Sequence, residues 1–167
     1  METTKILMAD DCVEFCESIR DLISQQADME LVGIAYNGEE AYEKICTLLP
    51  DVVLLDNCMP YMDGFDVVRK LQENKDLLPR FPVILMISAL NREKTMQTAM
   101  RLGVDYYMVK PIDFRGLLDR IKQFSVSEPE TGYRIPAPQT ENLETRVTKI
   151  MHEVAVPRAY QGVSVFA

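Results

Sequence analysis

Apolar residues in the first 124 positions fall into five short, nearly continuous runs separated by longer segments with helical spacing. Short apolar runs bounded by polar residues are typical of strands that are buried on both faces of a sheet. The pattern therefore predicts five buried strands. They are Ile6–Ala9, Leu31–Ala35, Val52–Leu55, Val83–Ile87 and Tyr106–Val109.

Between and after these runs, apolar residues recur at intervals of three and four, which predicts five amphipathic helices. Strands that alternate with helices imply right-handed crossovers and a parallel sheet covered on both faces, which is an α/β fold. The predicted core faces of the helices are Phe15, Ile19, Leu22 and Ile23; Ala41, Ile45, Leu48 and Leu49; Phe65, Val68 and Leu71; Met96, Ala99 and Met100; and Phe114, Leu117, Leu118 and Ile121.

The alternating pattern stops after Phe124, and this divides the chain into three parts. Residues 1–124 form the predicted α/β domain. Residues 125–141 are rich in proline and small polar residues, as expected of a linker. Residues 142–167 contain one predicted short helix, which ends before Pro157. Its apolar face is Leu143, Val147, Ile150, Met151 and Val154.

Charge and cysteine content exclude several classes of function. Five acids and four bases follow residue 124, so −7 of the net charge of −8 lies in residues 1–124, where it would repel a nucleic-acid backbone. The four cysteines form no CxxC pair and His152 is the only histidine, so we expect reduced structural thiols. No apolar run approaches the roughly 20 residues of a membrane span, and the N-terminus does not resemble a signal peptide. We therefore expect a cytoplasmic protein with no membrane partner.

Polar side chains follow four of the predicted strands at their carboxyl ends, where open parallel sheets bind ligands. Asp10 and Asp11 follow the first strand and Asp56 the third. Ser88 follows the fourth strand and Lys110 the fifth. Clustered carboxylates need a cation to hold them together, and oxygen ligands favour a hard divalent ion such as Mg²⁺. The pattern predicts a phosphoryl-accepting site with Asp56 as nucleophile, Lys110 paired with the acyl phosphate and Ser88 hydrogen-bonded to it.

Taken singly, each of these residues also has an ordinary structural interpretation. An aspartate after a strand often caps the next helix, which applies to Asp10, Asp11 and Asp56. Isolated serines and lysines such as Ser88 and Lys110 are usually solvated surface residues. Together, however, these residues stand in this order at the ends of four predicted strands, which favours the interpretation that they form one functional site.

Residues 4–124 resemble the receiver domain of bacterial two-component response regulators. The motifs that carry the resemblance are MADD (8–11), LLDNCMPYMDG (54–64), ISA (87–89) and YYMVKP (106–111). The resemblance implies a flavodoxin-like, doubly wound five-stranded parallel sheet in the order 2-1-3-4-5. It also implies a phospho-acceptor rather than a true enzyme, with at most slow self-catalysed phosphorylation and dephosphorylation.

The resemblance assigns roles to individual residues. Asp56 matches the phospho-acceptor, Lys110 its lysine partner, and Ser88 and Tyr107 the two switch residues. Mg²⁺, or Ca²⁺ or Mn²⁺ in its place, would be held by Asp10, Asp11, Asp56 and the backbone carbonyl of Cys58. The Lys110–Pro111 peptide bond is expected to be cis. The expected partner is a histidine kinase or phosphotransferase donor, and phosphorylation is expected to promote homodimer formation.

A narrower resemblance links the chain to sporulation transcription regulators of endospore-forming bacteria. ILMADDCVEFCESIRDLI and NLETRVTKIMHEVAVP carry it. It implies that residues 142–167 begin a helical DNA-binding effector domain that is truncated here, because a helix-turn-helix needs a second helix in the major groove. DNA binding is therefore expected only through a complete effector domain.

Three rival interpretations remain at this stage. The first is a stand-alone phosphotransfer or partner-docking receiver with an unrelated tail. The second is a metal-dependent phosphatase with an aspartyl-phosphate intermediate. That class places an acid two residues after the nucleophile, where this chain has Cys58. The third is a degenerate receiver that is not phosphorylated.

Overall fold

The structure is a computed structural model that describes residues 2–125. Strands and helices alternate through this range as the apolar pattern predicts. The strands are β1 (Thr4–Ala9), β2 (Met29–Ala35), β3 (Val52–Leu55), β4 (Val83–Ser88) and β5 (Tyr106–Val109). The helices are α1 (Val13–Ser24), α2 (Gly38–Leu48), α3 (Gly64–Glu73), α4 (Glu93–Leu102) and α5 (Phe114–Ser125), with a short 3₁₀ turn at Lys75–Leu77.

All five strands are parallel and lie in the order β2-β1-β3-β4-β5, which confirms the predicted doubly wound flavodoxin-like fold. The chain passes from β1 outward to β2 and then returns to β3 on the other side of β1. This reversal places the carboxyl ends of β1 and β3 next to each other, where such sheets bind their ligands.

Two apolar layers cover the two faces of the sheet, and alternate strand residues supply each layer. Leu7 and Ala9 of β1 pack with residues of α2, α3 and α4, whereas Ile6 and Met8 pack with residues of α1 and α5. Every residue of β3 is buried, as expected for a central strand with helices on both sides. The layers hold the strands rigidly, so the residues just beyond the strand ends have defined positions.

The helical pattern was wrong at four predicted core positions, Leu48, Leu49, Met100 and Phe114, all of which are exposed. Leu49 has a φ of 48° and ends α2, so the chain leaves the helical course at that point. Leu48 and Phe114 lie at helix ends, and Met100 lies on the edge of the apolar face centred on Ala99. Periodicity identifies a helical stripe but does not locate the edge of the core.

No helix among residues 2–125 has both the length and the apolar character needed to cross a membrane. The four cysteines, all in this range, are free thiols, of which Cys16 is buried, Cys46 is half-buried, and Cys12 and Cys58 are exposed. The predicted linker at 125–141 and the predicted helix within 142–167 lie outside the described residues, apart from Ser125, which ends α5.

Candidate phospho-acceptor site

The carboxyl ends of β1 and β3 bring two buried aspartates side by side. Ala9 and Leu55 are paired residues of the two strands, and Asp10 and Asp56 directly follow them. The Asp56 amide donates to the Ala9 carbonyl at 2.8 Å, so the pairing continues one residue past the strands. The register of the sheet therefore fixes the backbone positions from which both carboxylates project.

Three carboxylates form a single acidic pocket, made of Asp10, Asp11 and Asp56. One carboxylate oxygen from each lies within 4.8 Å of the others. Asp10 and Asp56 are buried and Asp11 is exposed, so the pocket is open on one side. The structure thus brings together the three acids that the sequence proposed as metal ligands.

Lys110, at the end of β5, reaches across to the acidic pocket. Its Nζ lies 2.6 Å from Asp10 Oδ2 and 3.5 Å from Asp56 Oδ1. The aromatic ring of Phe15 lies beneath the same ammonium group, with its centroid 4.7 Å from Nζ. The Lys110–Pro111 bond is cis, as expected. The sequence missed both the tighter pairing with Asp10 and the contact with Phe15, because these depend on the end of β1, the start of α1 and the end of β5 meeting in space.

The surroundings of Asp56 change how readily its carboxyl group ionises. Burial and then the negative charge of Asp10 raise the pKa of Asp56 to about 6, against a partly compensating effect of Lys110. Burial disfavours the Lys110 ammonium, but its hydrogen bond to Asp10 and the charge of Asp56 outweigh this and raise the pKa of Lys110. At pH 7, therefore, Lys110 is protonated, and Asp56 is mostly an ionised carboxylate that burial leaves poorly solvated.

None of the three aspartates of the pocket is the capping residue of a helix, which was the ordinary alternative. The residue before α1 is Cys12, whose side chain makes no capping hydrogen bond, and α3 is capped by Asp63 through the Asp66 amide. Asp10 instead accepts from the Cys12 amide at 2.8 Å through Oδ1. With that oxygen occupied, the Oδ2 atom is the one that meets Lys110.

The two predicted switch residues, Ser88 and Tyr107, meet at a single residue of the β4–α4 loop. The buried Ser88 hydroxyl accepts from the Leu90 amide at 3.2 Å. The Tyr107 hydroxyl donates to the Leu90 carbonyl at 2.8 Å. Leu90 therefore links Ser88 at the end of β4 to Tyr107 on β5, a connection that the sequence did not reveal.

The segment between β3 and α3, residues 56–63 and hereafter the β3–α3 loop, runs along the rim of the pocket. Its anchor is Asn57, which is buried and which the sequence analysis overlooked. The Asn57 side-chain oxygen accepts from the Phe65 amide at 3.1 Å, and its backbone carbonyl accepts from the Gly64 amide at 3.0 Å. Cys58, next in the chain, is exposed.

The donor set of the pocket fits a hard divalent cation. All three side chains offer oxygen atoms, which is the ligand type that Mg²⁺, Ca²⁺ and Mn²⁺ prefer. Burial and then the charge of Asp10 raise the pKa of Asp56, and a bound cation would offset both effects by stabilising the ionised carboxylate. Within residues 2–125, this is the one group of three or more acidic, histidine or cysteine side chains close enough to hold a metal.

Comparison with known proteins identifies the class to which this fold and site belong. The family model for the response regulator receiver domain matches residues 6–122. The chain therefore belongs to the response regulator receiver family, whose members are phospho-acceptors rather than enzymes in the usual sense.

Solved structures agree with this assignment. The response regulator domain of Thermotoga maritima CheB is 29% identical, with a TM-score of 0.66, and the match covers 76% of this chain and 100% of that one. The receiver domain of the putative response regulator NarL from Mycobacterium tuberculosis is 30% identical, with a TM-score of 0.65 and coverages of 73% and 98%. A chain of the CheX–CheY–BeF3–Mg complex from Borrelia burgdorferi is 26% identical, with a TM-score of 0.66 and coverages of 75% and 92%.

Proposed function

We propose that this receiver accepts a phosphoryl group on Asp56 from a histidine kinase or phosphotransferase and changes conformation as a result. The observation that carries the proposal is the buried Asp56 carboxylate, which faces Asp10 and lies 3.5 Å from the Lys110 ammonium. A carboxylate held this way is ionised above its pKa of about 6 and poorly solvated, which favours its reaction as a nucleophile.

The transfer step exchanges one phosphorus bond for another. A carboxylate oxygen of Asp56 attacks the phosphorus of a phosphohistidine, and a new oxygen–phosphorus bond forms as the nitrogen–phosphorus bond breaks. The imidazole nitrogen leaves with the bonding electrons. Negative charge grows on the phosphoryl oxygens during this exchange, and the protonated Lys110 is close enough to stabilise it.

Asp10, Asp11, Asp56 and the backbone carbonyl of Cys58 would hold Mg²⁺, with Ca²⁺ or Mn²⁺ as substitutes. When bound, the cation supplies positive charge that offsets the carboxylates and the phosphoryl oxygens. The chain contributes the oxygen ligands and their fixed spacing. The CheY complex that contains both BeF3 and Mg supports this arrangement by similarity.

The response to phosphorylation would begin at Ser88. A phosphoryl group adds roughly −1.5 to −2 charges, and the Ser88 hydroxyl would turn to donate to one of its oxygens. Leu90 would then lose its present acceptor and shift, and its carbonyl would release the Tyr107 hydroxyl. Phosphorylation would therefore bias an equilibrium between two arrangements of the β4–α4 loop and β5.

The motifs at residues 6–23 and 142–157 support a more specific role, as the receiver of the sporulation master regulator, stage zero sporulation protein A. In that role the chain would act in the cytoplasm, receive its phosphoryl group from a phosphorelay phosphotransferase and form a homodimer when phosphorylated. DNA binding would require a complete effector domain. Phosphoryl transfer from a sporulation phosphotransferase, but not from a chemotaxis kinase, is the expected result in a purified assay.

Incubation with Mg²⁺ and acetyl phosphate, followed by intact-mass measurement, tests the phosphoryl-accepting function. We expect a gain of about 80 Da for one phosphoryl group that is absent from Asp56→Asn. Asp51→Asn, at the opposite end of β3, is the matched control and should still gain the mass. Labelling that persists in Asp56→Asn, or no labelling of the parent protein, would refute the proposal.

A further inference from the structure

The β3–α3 loop contains a turn that its own sequence does not favour. The Met62 amide donates to the Pro60 carbonyl at 2.8 Å, which closes a three-residue γ-turn around Tyr61. Tyr61 has a φ of 67°, in the left-handed region that side chains other than glycine rarely adopt. A γ-turn with positive φ is rare and strained, so the surrounding structure must hold it in place.

The Tyr61 side chain does not provide that support, because it is 86% exposed. The next residue, Met62, is partly buried against the apolar layer formed with α2, α3 and α4. The turn is therefore held through the backbone and side chain of Met62 rather than through the ring of Tyr61. A residue that packs against Met62 therefore also constrains the β3–α3 loop.

The residue against Met62 is Gly38, the first residue of α2. A methyl group added at Gly38 would lie 2.7 Å from the carbonyl carbon and from the Cβ of Met62, and closer still to the carbonyl oxygen. Separations below 3.0 Å are not tolerated at a real Cβ, so the loop would have to move. Gly38 is buried, and its φ lies outside the positive region, so glycine is needed here for space and not for backbone freedom.

The start of α2 is itself well anchored, so it cannot easily yield to such a change. The Asn37 side chain caps the helix by accepting from the Glu40 amide at 2.8 Å, and Glu40 accepts from the Tyr36 amide at 2.9 Å. A clash at Gly38 would therefore displace the β3–α3 loop in preference to the helix.

We infer that Gly38 is a positioning residue for the phospho-acceptor site: by letting the Met62 carbonyl approach α2, it seats the loop that presents the Cys58 carbonyl to the cation. The inference rests on the proposed function, because it assumes that this carbonyl is a cation ligand. Gly38 itself touches neither phosphoryl group nor metal. Substitution of a residue that orients a metal ligand without touching the metal typically changes the metal affinity by about 10- to 100-fold.

Gly38→Ala tests the inference, with Gly116→Ala as a matched control in the first turn of α5. A methyl group at Gly116 would meet only the side chain of Asp113, at 3.2 Å, and α5 packs on the opposite face of the sheet from α2 and α3. Three measurements apply to each variant: the Mg²⁺ dissociation constant by calorimetry, the Mg²⁺ concentration for half-maximal labelling by acetyl phosphate, and amide NMR shifts in EDTA.

For Gly38→Ala we expect about a tenfold weaker Mg²⁺ affinity and a half-maximal Mg²⁺ concentration raised to match. The labelling rate at saturating Mg²⁺ should stay near that of the parent protein. Amide shifts in EDTA should change in residues 57–63, and Gly116→Ala should change none of these quantities.

Unchanged Mg²⁺ affinity in a folded Gly38→Ala protein would overturn the inference, even if its melting temperature fell, because that outcome describes a purely structural glycine. If Gly38→Ala does not fold, Gly38→Ala/Met62→Gly is compared with Met62→Gly in the same three measurements. Equal affinities in that pair would also overturn it. A parent protein that neither binds Mg²⁺ nor is labelled would instead refute the proposed function.

Discussion

Two aspartates flank the same short strand and have very different environments. Asp51 precedes β3 and Asp56 follows it, and each has a basic partner from a later part of the chain. Asp51 accepts from the Lys5 amide at 2.8 Å and from Arg80 at 3.0 Å, and Arg80 is 70% exposed. Asp51 is thus satisfied by one backbone donor and one solvated cation.

Asp56 lacks that balance. Its side chain is 4% exposed, it lies beside Asp10, and it shares Lys110 with that acid. Its pKa is raised to about 6 because burial and a neighbouring charge disfavour the ionised form. The comparison shows that a strand-end aspartate becomes chemically distinctive when like charges and burial converge on it. An available cationic partner is not enough, since both residues have one.

The largest expected difference between the two ends of β3 is in the phosphorylation rate after the basic partner of Asp56 or of Asp51 is removed. Lys110→Ala should lower the rate of labelling by acetyl phosphate by about 10²- to 10³-fold, because a positioned charge no longer stabilises the phosphoryl oxygens. Arg80→Ala removes an equivalent charge from Asp51 and should label at the parent rate. Intact-mass time courses in Mg²⁺ measure both, and equal rates for the two variants would show that the pairing with Lys110 is incidental.

The two aspartates should also differ in what their neutralisation does to stability. The folded-state pKa of Asp56 is raised from 3.8 to about 6, so folding stability is lost as pH rises through that interval. Asp56→Asn should therefore stabilise the metal-free protein by up to about 3 kcal/mol at pH 7, and the gain should vanish below about pH 4. Asp51→Asn should instead cost about 1 kcal/mol, through weaker hydrogen bonds.

Urea unfolding in EDTA at pH 7 and at pH 4 measures these free energies. The parent protein at each pH serves as the reference, and equal slopes are required for the comparison. A destabilising Asp56→Asn at pH 7 would mean that Asp56 is compensated as well as Asp51 is.

Mg²⁺ binding should also distinguish the two ends of β3, by a slightly smaller difference in the free energy of unfolding. At one hundred times its dissociation constant, Mg²⁺ should raise the free energy of unfolding by about 2.7 kcal/mol. Asp10→Asn removes one of the clustered acids and should abolish most of this gain, whereas Asp51→Asn should retain it. Thermal melts with and without Mg²⁺ test this, and a retained response in Asp10→Asn would place the cation elsewhere.

The smallest expected effect concerns the exposed ion pair. Arg80→Ala should lower the free energy of unfolding by less than about 1 kcal/mol, because solvent screens a pair whose arginine is 70% exposed. Urea unfolding of the parent protein and of Arg80→Ala in low and high salt measures the contribution of this ion pair. A larger loss of stability that does not depend on salt would show that Arg80 contributes through packing instead.

Prediction of the fold succeeded for strands whose apolar run ends at polar residues, both for the fully buried β3 and for the half-buried β5. The bounds of β3 and β5 agree with the sequence to the residue, because an apolar run with polar ends leaves little choice of strand. The helices were located correctly, but Leu48, Leu49, Met100 and Phe114 were wrongly placed in the core. Val67 is fully buried but lies beside the predicted apolar stripe, so the helical periodicity did not identify it.

For the site, the structure brings Asp10, Asp11, Asp56 and Lys110 together as the sequence predicted. Their roles as ligands, acceptor and partner stay predictions. Sequence reasoning missed three contacts that support the site, two of which join residues distant in the chain. Phe15 lies under Lys110, Asn57 anchors the β3–α3 loop, and Gly38 admits the Met62 backbone.

The sequence by itself determined which residue types stand at the strand ends, because polarity and order along the chain are local properties. It also determined the strands, since a run such as Val52–Leu55 is stable only when it is buried on both faces. Only the tertiary structure decided how charges share partners and which backbones touch. Burial, the pKa of Asp56 and the space at Gly38 depend on atoms brought together from remote segments, and no local pattern encodes those distances.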